Sequence, residues 1–336
     1  MPEGSPKYKV AIIIATQNDE KNIGRLLDQI YLQDISMDKV EIVVVDGLST
    51  DKTREIAESF KERFGSLKVL DNPAKYKSTG FNIGFKNSEA PFVHIIDAHS
   101  SFPNKDVLKN MVELFKGTEA ECLCRPQPFA PLDSSEFQQA AAYCRSSGLG
   151  HRPGMEIVEG FEGYVDPTPS GCFYKREVFE KVGYFDETFN GCEDIDFNYR
   201  IREAGIHAYL SPKLRQDYYP PDNPKGFWHQ MYHYGKGRFR FAKKHNEYSL
   251  MQWIAGFGVA MFLLLMFLSL LSLDAFARFQ TLLVVYLLVI LMFSLYLAVR
   301  RNYLGCLLWG LVIFPIIHFG LGFGFLRELL SYASKK

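Results

Sequence analysis

The chain has 336 residues, room for one sizeable domain and something more, and its 38 lysines and arginines are matched by 38 aspartates and glutamates. A net charge of zero excludes the basic excess that a nucleic-acid binder carries. Its six cysteines show no CxxC spacing, which reads as buried or free thiols of a reducing compartment rather than a metal or disulfide framework.

The segment MPEGSPKYKV has no apolar core of signal-peptide length, so the domain it opens is expected to stay in the cytosol. Val10 to Ala15 (VAIIIA) is a continuous apolar run, the pattern of a parallel strand covered on both faces. The polar turn Thr16 to Glu20 follows, and then Ile23, Leu26, Leu27 and Ile30 recur at helical spacing. Val40 to Val45 is a second buried strand, ending at Asp46-Gly47. Ser49, Thr50 and Asp51 are placed to cap a helix that carries Ile56, Ala57 and Phe60. Leu67 to Leu70 and Phe92 to Ile96 read as two more short strands, with a helix from about Thr79 to Asn87 between them. Strand and helix alternating in this way predict a parallel α/β sheet, whose ligands bind beyond the carboxyl ends of the strands.

Three polar groups fall at those ends: Thr16 to Asn18, Asp46, and Asp97 to His99. Together they predict a mononucleotide site. The absence of a GxGxxG turn and of a Walker A lysine loop argues against a dinucleotide oxidoreductase or a P-loop NTPase. Alternate residues at an extended strand end face the same way, so Asp97 and His99 are candidates to share a divalent ion, Mg²⁺ or the more imidazole-tolerant Mn²⁺. Such an ion neutralises the charge that grows on a departing nucleoside diphosphate. Further on, Glu193, Asp194 and Asp196 open a helical stretch. Carboxylates there serve either as caps favoured by the helix dipole or, for one of them, as a general base toward an acceptor hydroxyl.

Residues 226 to 245 (GFWHQMYHYGKGRFRFAKKH) interleave aromatic and basic side chains, as suits a helix in a lipid headgroup layer. Gln230, Tyr234 and Arg238 are its candidates for meeting a lipid headgroup. Three apolar stretches follow, 254–273, 281–299 and 304–326, each about the 20 residues that cross a bilayer as a helix. Lys236, Arg238, Arg240, Lys243 and Lys244 before the first, and Arg300 and Arg301 after the second, place both clusters on the cytosolic side. Lys335 and Lys336 oppose that orientation for the third, which Pro315 permits to kink or re-enter. The domain reading is therefore 1–225 catalytic, 226–250 interfacial and 251–329 membrane-spanning.

Taken together, VAIIIATQNDE, EIVVVDGLSTDKT, HIIDAHSSFP, GCFYKREVFEKVGYFDE and CEDIDFNYRIREAG resemble the family 2 glycosyltransferases of GT-A fold. The likeness is nearest to the succinoglycan-type exopolysaccharide enzymes, and it runs in the family's order over residues 8 to 245. The resemblance implies a GT-A α/β domain with a mostly parallel sheet, followed by a transmembrane helical segment. It implies that Asp46 recognises the nucleotide base, with Thr16, Gln17, Asn18, Glu20, Lys77, Asn82 and Asp97 also around the donor. It further implies that Asp97 and His99 hold Mn²⁺ or Mg²⁺, and that Asp194, with Glu193 beside it, is the catalytic base. The implied reaction moves a hexose with inversion from a nucleotide sugar, a UDP-sugar by expectation, to a hydroxyl of a polyprenyl-diphosphate saccharide at the inner membrane. The chain departs from the family pattern at Gln17, where a tyrosine is frequent, and at Leu48. It also lacks the Gln-x-x-Arg-Trp motif of processive synthases. Two alternatives stay open: a polyprenyl-monophosphate glycosyltransferase, and a non-catalytic membrane scaffold that keeps the fold.

Overall fold

The computed structural model describes residues 7–126, 134–150, 160–248 and 250–334. The chain divides into two compact units, Met1–Pro128 with Glu156–Tyr218, and Phe129–Met155 with Tyr219–Lys336.

The first unit is built on an eight-stranded sheet among the described residues. Strands β1 (Val10–Thr16), β2 (Val40–Asp46), β3 (Leu67–Asp71) and β4 (Phe92–Asp97) are parallel, in the order β3-β2-β1-β4. β1 and β2 are buried at every position, and the pleat sends their side chains to opposite faces. Val10, Ile12 and Ile14 join one core with the helices α1 (Ile23–Tyr31) and α4 (Val107–Gly117). Ala11, Ile13 and Ala15 join the other, with α3 (Lys77–Lys86), α6 (Glu177–Val182) and α7 (Glu193–Glu203). The remaining short helix of this half, α2 (Thr53–Ser59), follows β2.

Beyond β4 the sheet changes character. β8 (Gly171–Lys175) runs antiparallel to both β4 and β6 (Cys122–Cys124), β9 (Ala208–Leu210) is parallel to β6, and β7 (Gly163–Tyr164) closes the edge. β5 (Ser100–Ser101) and β10 (Asp217–Tyr218) form a separate two-stranded ladder that ties the end of this unit to the loop after β4. The expectation of a mostly parallel α/β sheet therefore holds. α3 begins at Lys77 rather than near Thr79, which puts that lysine in the first turn of the helix.

The second unit is helical. α5 (Glu136–Arg145), opened by a capping box between Ser135 and Gln138, comes from the middle of the chain. It shares an apolar core with α8 (Pro224–His245), α10 (Leu273–Arg300) and α11 (Gly305–Ala333). α9 (Leu250–Leu268) completes the group.

The apolar stretches differ in detail from the sequence reading. α9 stops at Leu268, where the Ser269 hydroxyl donates to the Met266 carbonyl at 2.6 Å, and 269–271 is a turn. Ser272 then caps α10, and 274–280, the gap between the first two apolar stretches, forms its first two turns. α11 runs unbroken through Pro315 and continues seven residues past the expected end at 326. α10 and α11, at 28 and 29 residues, are long and apolar enough to cross a membrane, whereas the apolar part of α9, Trp253–Leu268, is shorter. Leu264, Phe267, Leu288 and Met292 are among many large apolar side chains exposed along α9 and α10, a surface suited to lipid. Lys335 and Lys336 lie outside the described residues.

Candidate active site

The ends of β1, β2 and β4 stand side by side. Thr16 pairs with Asp46 and Ala15 with Asp97, so the two aspartates flank β1 at about 10 Å, two inter-strand spacings. Asp46 is 2% exposed and accepts from the Ser49 backbone N–H at 3.1 Å and from the Ser49 hydroxyl. Leu48 sits in the left-handed region (φ 57°) to make that turn. Gln17 Nε2 donates to the Gly47 carbonyl at 2.9 Å, tying the β1 loop to the β2 loop. Asn18 and Glu20 do the same work. The Asn18 side-chain oxygen accepts from Thr50 N–H at 2.8 Å, and Glu20 accepts from Lys52 N–H at 3.0 Å.

The second half of the site gathers charge. Lys77 Nζ donates to Asp97 Oδ1 at 2.7 Å, and His99 Nε2 lies 3.6 Å from Asp97 Oδ2. Burial alone would raise the Asp97 carboxyl, but the Lys77 ammonium and His99 outweigh it and hold it at about 2. Lys77 is correspondingly raised: burial works against its charge, and Asp97 and then Glu193 prevail. His99 also approaches Asp19, with Nδ1 to Oδ1 at 3.9 Å, and meets Tyr218 edge-on at 4.9 Å between ring centres. Asp19 accepts from the Thr16 hydroxyl at 3.0 Å. Asp19 and Tyr218 were not among the expected site residues. Asp19 lies in the polar turn after β1, but nothing in its spacing separates it from Asn18 or Glu20.

α7 separates the three carboxylates of its first turn by burial. Cys192 takes a left-handed conformation (φ 64°) ahead of the helix, turning Glu193 inward. Glu193 is buried, accepts from Gly191 N–H at 3.1 Å, and is pushed up to about 7, first by burial and next by the Asp194 charge. Asp194 is exposed at the helix start, with Oδ1 accepting from Ile195 N–H at 2.9 Å. Asp196 is fully buried and pairs with Arg200 at 3.1 Å, a structural bridge.

α3 positions this arrangement. Its Ser78 hydroxyl donates to the Phe189 carbonyl at 2.9 Å. The Asn82 amide donates to the Phe185 carbonyl and to Glu187, at 2.9 and 2.8 Å, and accepts from Phe185 N–H at 3.0 Å. Asn82, expected beside the donor, thus has its amide taken up by the loop that leads into α7. On β4 itself the buried His94 donates from Nδ1 to the Cys172 carbonyl at 3.1 Å and accepts from Gln216 at 2.8 Å. Burial holds it neutral, near 3.

The three candidates on α8 belong to the second unit. Arg238 lines a cavity there, Tyr234 packs against the apolar core of that unit, and Gln230 is half-buried. Among the described residues no group of three or more His, Cys, Asp or Glu is arranged to hold a metal. Asp97 and His99 supply two donors on one side. That suits an ion completed by the oxygens of a bound diphosphate, since hard cations at nucleotide sites take one or two carboxylates and substrate phosphates.

A mostly parallel sheet with acidic groups at the carboxyl ends of its central strands, followed by an antiparallel β8 leading into an acidic helix start, defines a GT-A-type transferase domain. The chain belongs to glycosyl transferase family 2, whose profile matches residues 11–183. It is 28% identical to the succinoglycan biosynthesis protein ExoA of Rhizobium meliloti (strain 1021), over 70% of each chain. It is also 28% identical to a Methanococcus voltae dolichyl N-acetyl-alpha-D-glucosaminyl phosphate 3-beta-D-2,3-diacetamido-2,3-dideoxy-beta-D-glucuronosyltransferase, over 76% of this chain and 80% of that one. Among solved structures, a mannosyltransferase from Pyrobaculum calidifontis in complex with GDP-Man and Mn²⁺ superposes with a TM-score of 0.59 at 19% identity, over 97% of this chain and 88% of that one. S. aureus TarS in complex with UDP gives 0.52 at 18%, over 98% and 92%.

Proposed function

We propose that the protein is a membrane-anchored inverting glycosyltransferase that moves a hexose from a UDP-sugar to a hydroxyl of a polyprenyl-diphosphate-linked saccharide, with the first unit on the cytosolic side. The observation that carries this reading is the convergence, at the ends of β1, β2 and β4, of Asp46 on one side and the Lys77–Asp97–His99 cluster on the other. About 10 Å between the two suits a nucleoside lying across the end of β1, base toward Asp46 and diphosphate toward Asp97. The complex of TarS with UDP and that of the Pyrobaculum enzyme with GDP-Man and Mn²⁺ support such a donor. The dolichyl phosphate in the name of the Methanococcus relative supports a lipid-linked acceptor.

In this reading Asp194, exposed at the start of α7, removes the proton of the acceptor hydroxyl. The hydroxyl oxygen bonds to the anomeric carbon from the side opposite the diphosphate, the sugar–phosphate C–O bond breaks, and the nucleoside diphosphate leaves with the electron pair. A Mn²⁺ or Mg²⁺ ion held by Asp97 and His99 supplies neutralisation of that leaving group when bound. Lys77, salt-bridged to Asp97, holds the carboxylate ionised and oriented. Glu193, buried beside Lys77, lies next to Asp194 at the start of α7 and shares the charge balance of the Lys77–Asp97 pair.

Release of UDP from a panel of UDP-sugars, with purified protein and a membrane lipid extract, with and without Mn²⁺, tests the proposal. Metal-dependent release with one sugar is the expected outcome and names the donor. Silence across the panel together with failure to bind UDP would overturn it.

A further inference from the structure

The second unit contains a cavity of about 560 Å³ that the reaction described above does not use. Its wall is largely apolar, with Val259, Phe262, Leu283 and Phe319 contributed by α9, α10 and α11. Three polar side chains reach it: Arg238, Tyr286 and His318. Two of them satisfy each other, since the Tyr286 hydroxyl and His318 Nδ1 lie 3.0 Å apart and His318 Nε2 bonds the Leu149 carbonyl at 2.9 Å.

Arg238 has a different standing. Its neighbours on α8, Lys236 and Arg240, are one turn apart and share Glu328 of α11, at 3.9 and 2.7 Å. Arg238 sits between them in sequence, about 200° round the helix from each when counted at 100° per residue. No hydrogen-bond acceptor or ion-pair partner meets it among the described residues. A guanidinium set in an apolar wall is costly without an anion. Its geometry favours a phosphate, which it grips through two parallel N–H groups.

We infer that this cavity is the seat of the lipid-linked acceptor: an isoprenoid chain fills the apolar space, and the phosphate group at its head is bound by Arg238. The inference rests on the proposed function for the identity of the lipid, and on the cavity and the unpartnered arginine for the site. Charge complementarity selects an anionic amphiphile over a neutral one. Among the glycines of the wall, Gly258 on α9 is the open position: a side-chain carbon added there meets nothing within 4 Å, whereas one at Gly235 lies 2.2 Å from the Leu321 carbonyl oxygen.

The test uses the full chain in nanodiscs of phosphatidylcholine, with lipid retention read by native mass spectrometry. The probes are a polyprenyl phosphate, the corresponding neutral polyprenol, and phosphatidylglycerol. The wild type is expected to retain polyprenyl phosphate at least tenfold better than either of the others. Arg238→Gln should erase the preference for phosphate over alcohol, and Gly258→Leu should weaken retention of both isoprenoids, with melting temperatures confirming that each variant is folded. Equal retention of phosphatidylglycerol would assign the cavity to bulk anionic lipid and overturn the inference. So would unchanged retention in both folded variants. UDP binding measured on the same samples keeps the two readings apart. Normal UDP binding with no lipid preference sinks this inference alone, whereas lipid preference without UDP binding sinks the proposed donor and leaves the cavity assigned.

Discussion

Lys77 and Asp97 form an ion pair that reaches across from the first turn of α3 to the end of β4, and its electrostatics bear on every neighbour. Glu193 is the clearest case for pH. Its carboxyl is raised to about 7 in the fold against about 4.3 in an unfolded chain. The folded state therefore holds a proton that the unfolded state has lost between those values, and stability falls as pH rises through that window. Glu193→Gln is expected to flatten that fall, worth on the order of 1–3 kcal/mol, as read from melting curves of metal-free protein between pH 4.5 and 7.5. A slope identical to the wild type would show that the carboxyl is not buried as described. For Asp194, replacement by Asn should lower turnover by roughly 10²–10⁴-fold, the range of a lost general base, while UDP binding persists. Full activity would point instead to an acceptor whose own phosphate attacks, with no proton to remove.

At the scale of elements, α3 and α11 do the positioning. α3 holds the loop before α7 through Ser78 and Asn82, so Asn82→Leu would strand the buried Phe185 N–H and carbonyl. A cost of about 1–3 kcal/mol per orphaned buried group is expected. Lower turnover with near-normal UDP affinity should accompany it, because the loop leads into the start of α7, where Asp194 lies. Loss of UDP binding with normal stability would instead place Asn82 in direct contact with the donor. α11 packs along α8 through glycines: a carbon added at Gly324 would lie 2.0 Å from the Tyr232 carbonyl oxygen, and one at Gly235 2.2 Å from that of Leu321. Small residues at such crossings let helix backbones touch. Gly324→Ala is expected to lower the melting temperature in detergent markedly, whereas Gly258→Ala, which meets open space, should leave it within a degree or two. Equal effects would show that the close crossing is not made.

For the whole molecule, the exposed apolar side chains of α9 and α10, with the lengths of α10 and α11, fit a chain that lives in a bilayer. Fractionation should leave it in the membrane pellet after high salt and alkaline carbonate, and detergent should release it. Recovery in the soluble fraction under either wash would contradict that reading. The motifs of the first unit were legible because each sits at a strand end or helix start, where alternation and capping rules apply to neighbours in sequence. Val10 to Ala15 had to be a central strand, and the acidic ends of β2 and β4 had to face the same edge of a parallel sheet.

Composition and periodicity were enough for the α/β class, the apolar C-terminal quarter, and Asp46 and Asp97 at strand ends; the ordered motifs carried the family resemblance, and the resemblance singled out Asp194 among the carboxylates of its helix start. Tertiary packing supplied the rest, through contacts between residues far apart in the chain. It brought Asp19 toward His99, turned Glu193 inward and left Asp194 exposed, and gave Asn18, Glu20 and Asn82 hydrogen-bond partners on distant loops. It placed α5 in the helical unit, although the linear reading had counted it in the catalytic domain. It also matched Lys236 and Arg240 with Glu328 while leaving Arg238 in an apolar wall. Local pattern reports which face of an element is apolar. It carries no record of which distant side chain will neutralise a given charge, because that is settled only when helices and strands pack.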